Sequence, residues 1–215
     1  MHQGCRARIL SAAFIYYLFS HGAWAQSPDS VIAKTEKTIA GAKSLTAEFS
    51  LEIRWKLRET VEKKKGKLFL QKPGKYRIEL DSSMYVTDGE TFWRYSPKNR
   101  QLVINDILDV QNDFQPGEWL FSYSAYYSPV AMETAVLAGE KCFTIRMAPK
   151  DKARFTSLTA WISEKTGLPL KLETIDKNEN NATYLISSMA VGPGLPGALF
   201  TITPPKGTEV IDMRE

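Results

Sequence analysis

The sequence predicts a mainly β fold, an antiparallel sheet curled into an open barrel around an apolar interior. Three observations carry this. From Leu45 to Leu57 the alternation is unbroken, with Leu45, Ala47, Phe49, Leu51, Ile53, Trp55 and Leu57 apolar and Thr46, Glu48, Ser50, Glu52, Arg54 and Lys56 polar, the period of a strand wet on one face. Shorter alternating runs, punctuated by Gly, Pro, Asn and Asp, fill most of the remaining chain. Helical period appears in only about two segments, and a sheet with one apolar face must cover that face. With so little helix, the sheet has to curl on itself and use the helices as a plug, which makes a half-barrel.

Residues 1–25 read as a secretory signal. Arg6 and Arg8 make a positive start, Ile9 to Ser20 is an apolar run of 12 residues, and Ala23-Trp24-Ala25 gives the small-x-small cleavage pattern. The run is shorter than the ~20 residues a membrane helix needs. Cleavage after Ala25 removes both histidines, Cys5 and two arginines. It leaves 190 residues with 26 basic and 24 acidic side chains, net charge +2, and Cys142 as the one cysteine. That length suits a single domain, 26–215. Gln26 offers no sulfur for lipid attachment, so the product is expected to be soluble and periplasmic.

Ser27-Pro28-Asp29 opens a helix with a cap, a first-turn proline and an acid at the positive dipole end. Val31, Ile32, Thr35 and Ile39 share one face and Gly41 ends it. After the long strand, the charged stretch Arg58 to Lys65 reads as a hairpin loop leading to a partner strand at Leu68-Phe69-Leu70. Pro73-Gly74 breaks the chain before Tyr76, Ile78 and Leu80. Strands at Met84 to Thr87, Thr91 to Tyr95 and Gln101 to Ile104 complete a meander. From Asp106 to Pro129 the alternation fails, and Pro116-Gly117-Glu118 opens a helical insertion rich in aromatics. Strands resume at Val136 to Ala138, Cys142 to Met147, Ser157 to Ser163, Leu168 to Ile175, Thr183 to Met189 and Ala198 to Ile202.

Without histidine, the mature chain lacks Ser-His-Asp and Cys-His arrangements and the usual zinc sites. It has no CxxC pair and no glycine-rich phosphate loop. A net charge of +2 is too small to argue for nucleic acid. Glu48/Glu52 and Asp176/Glu179 read as solvated charges, and Cys142 as a small buried residue. No catalysis, metal or cofactor is expected. The run Glu62-Lys63-Lys64-Lys65 reads as a solvated loop, with docking to a partner or to anionic headgroups as its functional alternative.

The inward positions carry unusual bulk: Phe49, Trp55, Tyr76, Trp93 and Tyr95, to which the insertion adds Trp119 and Phe121. Two short helices do not usually bury so much, and a cavity for apolar chains would use it. Its expected lining is Phe49, Leu51, Ile53, Trp55, Leu68, Leu70, Tyr76, Ile78, Trp93, Trp119 and Phe121. Lys72 shares its parity with Leu68 and Leu70. It stands either at the cavity mouth or past the end of the strand in water.

Three motifs in order, Pro73-Gly74-Lys75-Tyr76-Arg77-Ile78, then Asp88-Gly89-Glu90-Thr91-Phe92-Trp93-Arg94-Tyr95, then Phe200-Thr201-Ile202-Thr203-Pro204-Pro205-Lys206-Gly207, together with Gly167-Leu168-Pro169-Leu170-Lys171-Leu172-Glu173, resemble the outer-membrane lipoprotein carrier protein family, LolA. The resemblance runs from about Ser30 to the C-terminus. It implies an unclosed β-barrel with a helical lid over a hydrophobic cavity. It also implies a carrier that takes acylated lipoproteins from an inner-membrane ABC transporter and hands them to an outer-membrane receptor; the chain is expected to act as a monomer. The family typically has Arg before the motif proline, where this chain has Lys72, a point donor in place of a fork. If Lys72 stands at the mouth, it is expected to donate to carbonyls at the end of a lid helix and act as its latch. Two other readings remain: a lipid-sensing regulator of an anti-sigma factor on a related fold, and a carrier of another lipid.

Overall fold

The computed structural model describes residues 26–81, 83–110 and 122–214. Helix α1 (Pro28–Gly41) begins where the cap places it, with the Ser27 hydroxyl accepting from the Ser30 N–H at 3.2 Å. It buries Val31, Ile32, Thr35 and Ile39, the face read from the sequence. Twelve strands follow in one sheet: β1 (Ser44–Trp55), β2 (Thr60–Gln71), β3 (Lys75–Leu80), β4 (Ser83–Thr87), β5 (Thr91–Ser96), β6 (Gln101–Asp106), β7 (Tyr127–Leu137), β8 (Glu140–Pro149), β9 (Ser157–Ser163), β10 (Pro169–Ile175), β11 (Asn181–Gly192) and β12 (Glu209–Asp212). Single helical turns α2 (Ile107–Val110) and α3 (Tyr123–Tyr126) and a 3-10 turn at Gly197–Phe200 complete the described elements.

The strand order is β12-β6-β5-β4-β3-β2-β1-β11-β10-β9-β8-β7. β12 and β7 stay unpaired to each other at the two edges, so the barrel is open. All pairings are antiparallel except β12 with β6, which is parallel. The register carries one apolar row across the concave face, Leu51–Tyr184–Leu172–Ala160–Ile145–Met132, and a second, Ile78–Leu68–Ala47–Met189. α1 packs its buried face onto these rows, forming one core with Tyr76, Phe92, Tyr123 and Tyr127.

Several expectations are corrected. The lysine run is not a loop but the first half of β2, because it finds acids across the strands: Lys63 pairs with Glu52 at 3.2 Å and Lys67 with Glu48 at 2.8 Å, while Lys64 pairs with Glu62 at 2.8 Å along β2 itself. Cross-strand opposite charges support a sheet as apolar pairs do, though each exposed pair contributes only about 0.2–1 kcal/mol. β7 begins at Tyr127, well before Val136, and runs through Pro129 because a bulge at Pro129/Ala131 on this edge strand accommodates a residue without an N–H. Ala198 to Ile202 is not a strand. It holds the 3-10 turn that buries Phe200 completely. β12 has too short a pattern, Glu209-Val210-Ile211-Asp212, to be read as a strand without its neighbour.

Candidate ligand-binding interior and its lid

The interior is built from alternating strand positions and closed by α1. Leu51, Leu68, Tyr76 and Ile78 keep 8% or less of their surface exposed, and Leu70 packs against the same core half-buried. Ile53 and Trp55 continue that parity toward the end of β1, both partly exposed, and the Trp55 indole donates to Glu62 at 3.4 Å. Phe49 lies at mid-strand, its ring 6.0 Å from Tyr184 and directly over Gly66. A Cβ at residue 66 would stand 2.4 Å from that ring, so the glycine is what gives Phe49 its place.

A cleft of about 830 Å³, within the range of ligand sites, about 300–1,000 Å³, borders Phe49, Leu80, Leu170 and Ile186 on its apolar side and the charged Glu48, Lys65, Lys67, Glu79, Asp81 and Glu140 on its rim. Of the expected lining residues, Phe49 borders this cleft, Leu68, Tyr76 and Ile78 belong to the core that α1 closes, and Leu51 is buried outside that core. Trp119 and Phe121, with the helix expected from Pro116, lie outside the described residues.

Trp93 is on the other face. Phe92 is the inward residue of β5, its ring 6.5 Å from Tyr76 and 6.4 Å from Tyr85. Trp93 pairs with Val86 and Ile104, and Tyr95 with Leu102, on the convex side. There Val86, Leu102 and Phe200 are buried although they stand outside the core beneath α1, and Arg77 donates to the Leu199 carbonyl at 3.3 Å. The C-terminal segment therefore covers a patch of the convex face. With apolar residues on both faces of β5, alternation could not say which pointed inward.

Two contacts hold α1 down. The Lys72 ammonium donates to the Ile39 carbonyl at 3.2 Å and to the Ala40 carbonyl at 2.5 Å. These are acceptors of the last turn of α1, which has no basic residue of its own. The exposed carbonyls and the negative dipole end both favour a cation there. At mid-helix, the Glu36 carboxylate accepts from the Ser124 N–H at 2.7 Å and from its hydroxyl at 2.8 Å, tying α1 to α3. Sequence reading misses this second tie, since an exposed glutamate on a helix carries no mark of its partner 88 residues away.

Beside that tie, Tyr123 is fully buried under α1, and its hydroxyl meets no hydrogen-bond partner among the described residues. Burial, and then the Glu36 charge, push its pKa up, so it stays a neutral donor. A buried hydroxyl without a partner costs about 1–3 kcal/mol. Tyr123→Phe is therefore expected to raise stability by about 1 kcal/mol, read as a higher urea midpoint at unchanged slope. A lower midpoint would mean that the hydroxyl bonds to something in solution.

The chain matches the family described as "Outer membrane lipoprotein carrier protein LolA" over residues 40–203. It is 25% identical over 174 residues to an outer-membrane lipoprotein carrier protein of Histophilus somni (strain 2336), covering 80% of this chain and 82% of that one. It is 24% identical over 201 residues to the protein of the same name from Legionella pneumophila (strain Lens), covering 90% and 94%. An uncharacterized conserved protein from Thermus thermophilus has a similar crystal structure, with TM-score 0.57 at 16% identity, covering 87% of this chain and 99% of that one. That likeness shows the fold.

Proposed function

The chain belongs to the outer membrane lipoprotein carrier (LolA) family, and from that premise we propose that it is a periplasmic carrier that holds acyl chains between α1 and the concave sheet and catalyses no covalent reaction. One observation carries the reading: among the described residues the apolar concave face is covered chiefly by α1, whose last turn, besides burying Ile39, is held by polar contacts from Lys72. Such a cover can be lifted and replaced by a ligand that offers the same apolar surface. Each methylene withdrawn from water contributes ~0.8 kcal/mol, so part of one long chain suffices for useful affinity.

Two other features support this reading, the N-terminal pattern and the family's name. The pattern of residues 1–25 fits export, with cleavage after Ala25 and a product beginning at Gln26. Lipoproteins carrying acyl chains are the cargo the family name implies, received from an inner-membrane transporter and passed to an outer-membrane acceptor.

Titration of the mature protein with a synthetic diacylated peptide tests the proposal. Saturable one-to-one binding, with acylated proteins copurifying from the periplasm, is the expected result. A folded protein that binds no acyl ligand refutes it, and copurification of free lipid alone would reassign the cargo.

A further inference from the structure

We propose that the turn between β1 and β2 is a docking tip for an anionic phospholipid surface. Leu57, at its apex, is 88% exposed, the most exposed large apolar side chain among the described residues, and Val61 beside it is 54% exposed. Arg54, Lys56 and Arg58 flank them, with the Arg58 guanidinium 5.4 Å over the Trp55 ring. An isolated exposed leucine needs no explanation on a flat surface. Here it is the summit of a hairpin, between bases whose stems are long enough to reach headgroups while the apolar side chain enters the layer below.

The rest of that end of the sheet agrees. By the strand order, the turns at 56–59, 81, 97–100, 150–156 and 176–180 lie at one end of the strands. Together they carry eight Lys or Arg against five Asp or Glu. The short turns of the opposite end, 42–43, 72–74, 88–90, 138–139 and 164–168, carry three of each. The excess positive charge is thus spread over one whole end, around an apolar point. A planar, deformable, negatively charged partner matches this arrangement better than a protein pocket, which would need a wider apolar patch to close around. Several of the bases already have acids nearby, Lys56 with Glu179 at 3.8 Å and Arg54 with Glu52 at 2.8 Å, so docking is weak and salt-sensitive, as a protein that must leave again requires. The docked orientation points the Lys72 turn, at the opposite end, away from the bilayer.

The inference does not rest on acyl binding, because the tip lies outside the interior. The test is flotation of the mature protein with vesicles of phosphatidylethanolamine and phosphatidylglycerol, against vesicles of phosphatidylcholine. Flotation with the anionic vesicles alone, weakened by salt, is expected. Leu57→Asp and Arg58→Glu should each lower partitioning by about tenfold. Val136→Asp, at a residue 68% exposed on the edge strand β7, should leave it unchanged. Absence of flotation, equal flotation with both vesicle types, or a loss in Val136→Asp as large as in Leu57→Asp overturns the proposal. Acyl-peptide affinity, measured without vesicles, should be the same in all four proteins, which separates a failure here from a failure of the carrier reading.

Discussion

Phe49→Asp is expected to lower acyl-peptide affinity by about 100-fold. The ring lies across Gly66, touches the Tyr184 side of the core and borders the cleft of about 830 Å³. Aspartate removes that apolar wall and places a carboxylate where an acyl chain would pass, and a charge there keeps its water or goes unpaired. Phe49→Leu keeps the apolar surface and should stay within about fivefold of the original affinity. Gly66→Val should reproduce part of the loss by a different route. Its added methyls would have to displace the Phe49 ring, since even a Cβ falls 2.4 Å from it, at a cost of about 1–3 kcal/mol in stability. Urea midpoints taken beside the affinities separate lost folding from lost binding. Wild-type affinity in a folded Phe49→Asp protein would show that the ligand lies elsewhere.

The legible parts of this fold are those in which one face is dry and the other wet. β1 and the buried stripe of α1 satisfy that condition residue by residue, and both are readable. The lysine run of β2 breaks it: with Glu62 and Lys64 on one face and Lys63 and Lys65 on the other, both faces are charged and the segment looks like a loop until Glu48 and Glu52 stand opposite. β5 breaks it in the other way, because the C-terminal segment makes the convex face dry as well, and so alternation puts Trp93 on the wrong side. The buried positions of β1, β2 and β3 follow from parity, whereas the tie between Glu36 and Ser124 depends on which short helix the long connection delivers to α1. Lys72 lies between these cases. Parity puts it on the face of Leu68 and Leu70, but only the position of α1 says what its ammonium meets.

Lys72→Leu should leave folding intact and tighten acyl binding by about fivefold, while slowing transfer to an acceptor. The lysine donates to two carbonyls of the last turn of α1 in the closed protein. A ligand that lifts α1 must break both contacts, so part of its binding free energy is spent on opening. Hydrogen bonds from a charged donor contribute about 1.5–3 kcal/mol, but the Lys72 side chain is exposed, and solvent screening reduces this to about 1 kcal/mol. Leucine removes the contacts without leaving a buried charge behind, which lowers the cost of opening and stabilises the loaded state relative to the closed one. Release then becomes harder by the same factor, since the closed protein no longer gains the latch on re-forming. Lys72→Arg should move both quantities the other way. A guanidinium spans the Ile39 and Ala40 carbonyls as a preorganised fork where the ammonium reaches them as a point donor. Acyl-peptide affinity and the rate of transfer to acceptor vesicles, measured for the three proteins, should therefore change in opposite directions along the series Leu, Lys, Arg. Equal affinities and equal rates in all three would show that Lys72 merely ties the β2–β3 turn to α1 and that opening is governed elsewhere, with the Glu36–Ser124 contact as the remaining polar tie on the helix.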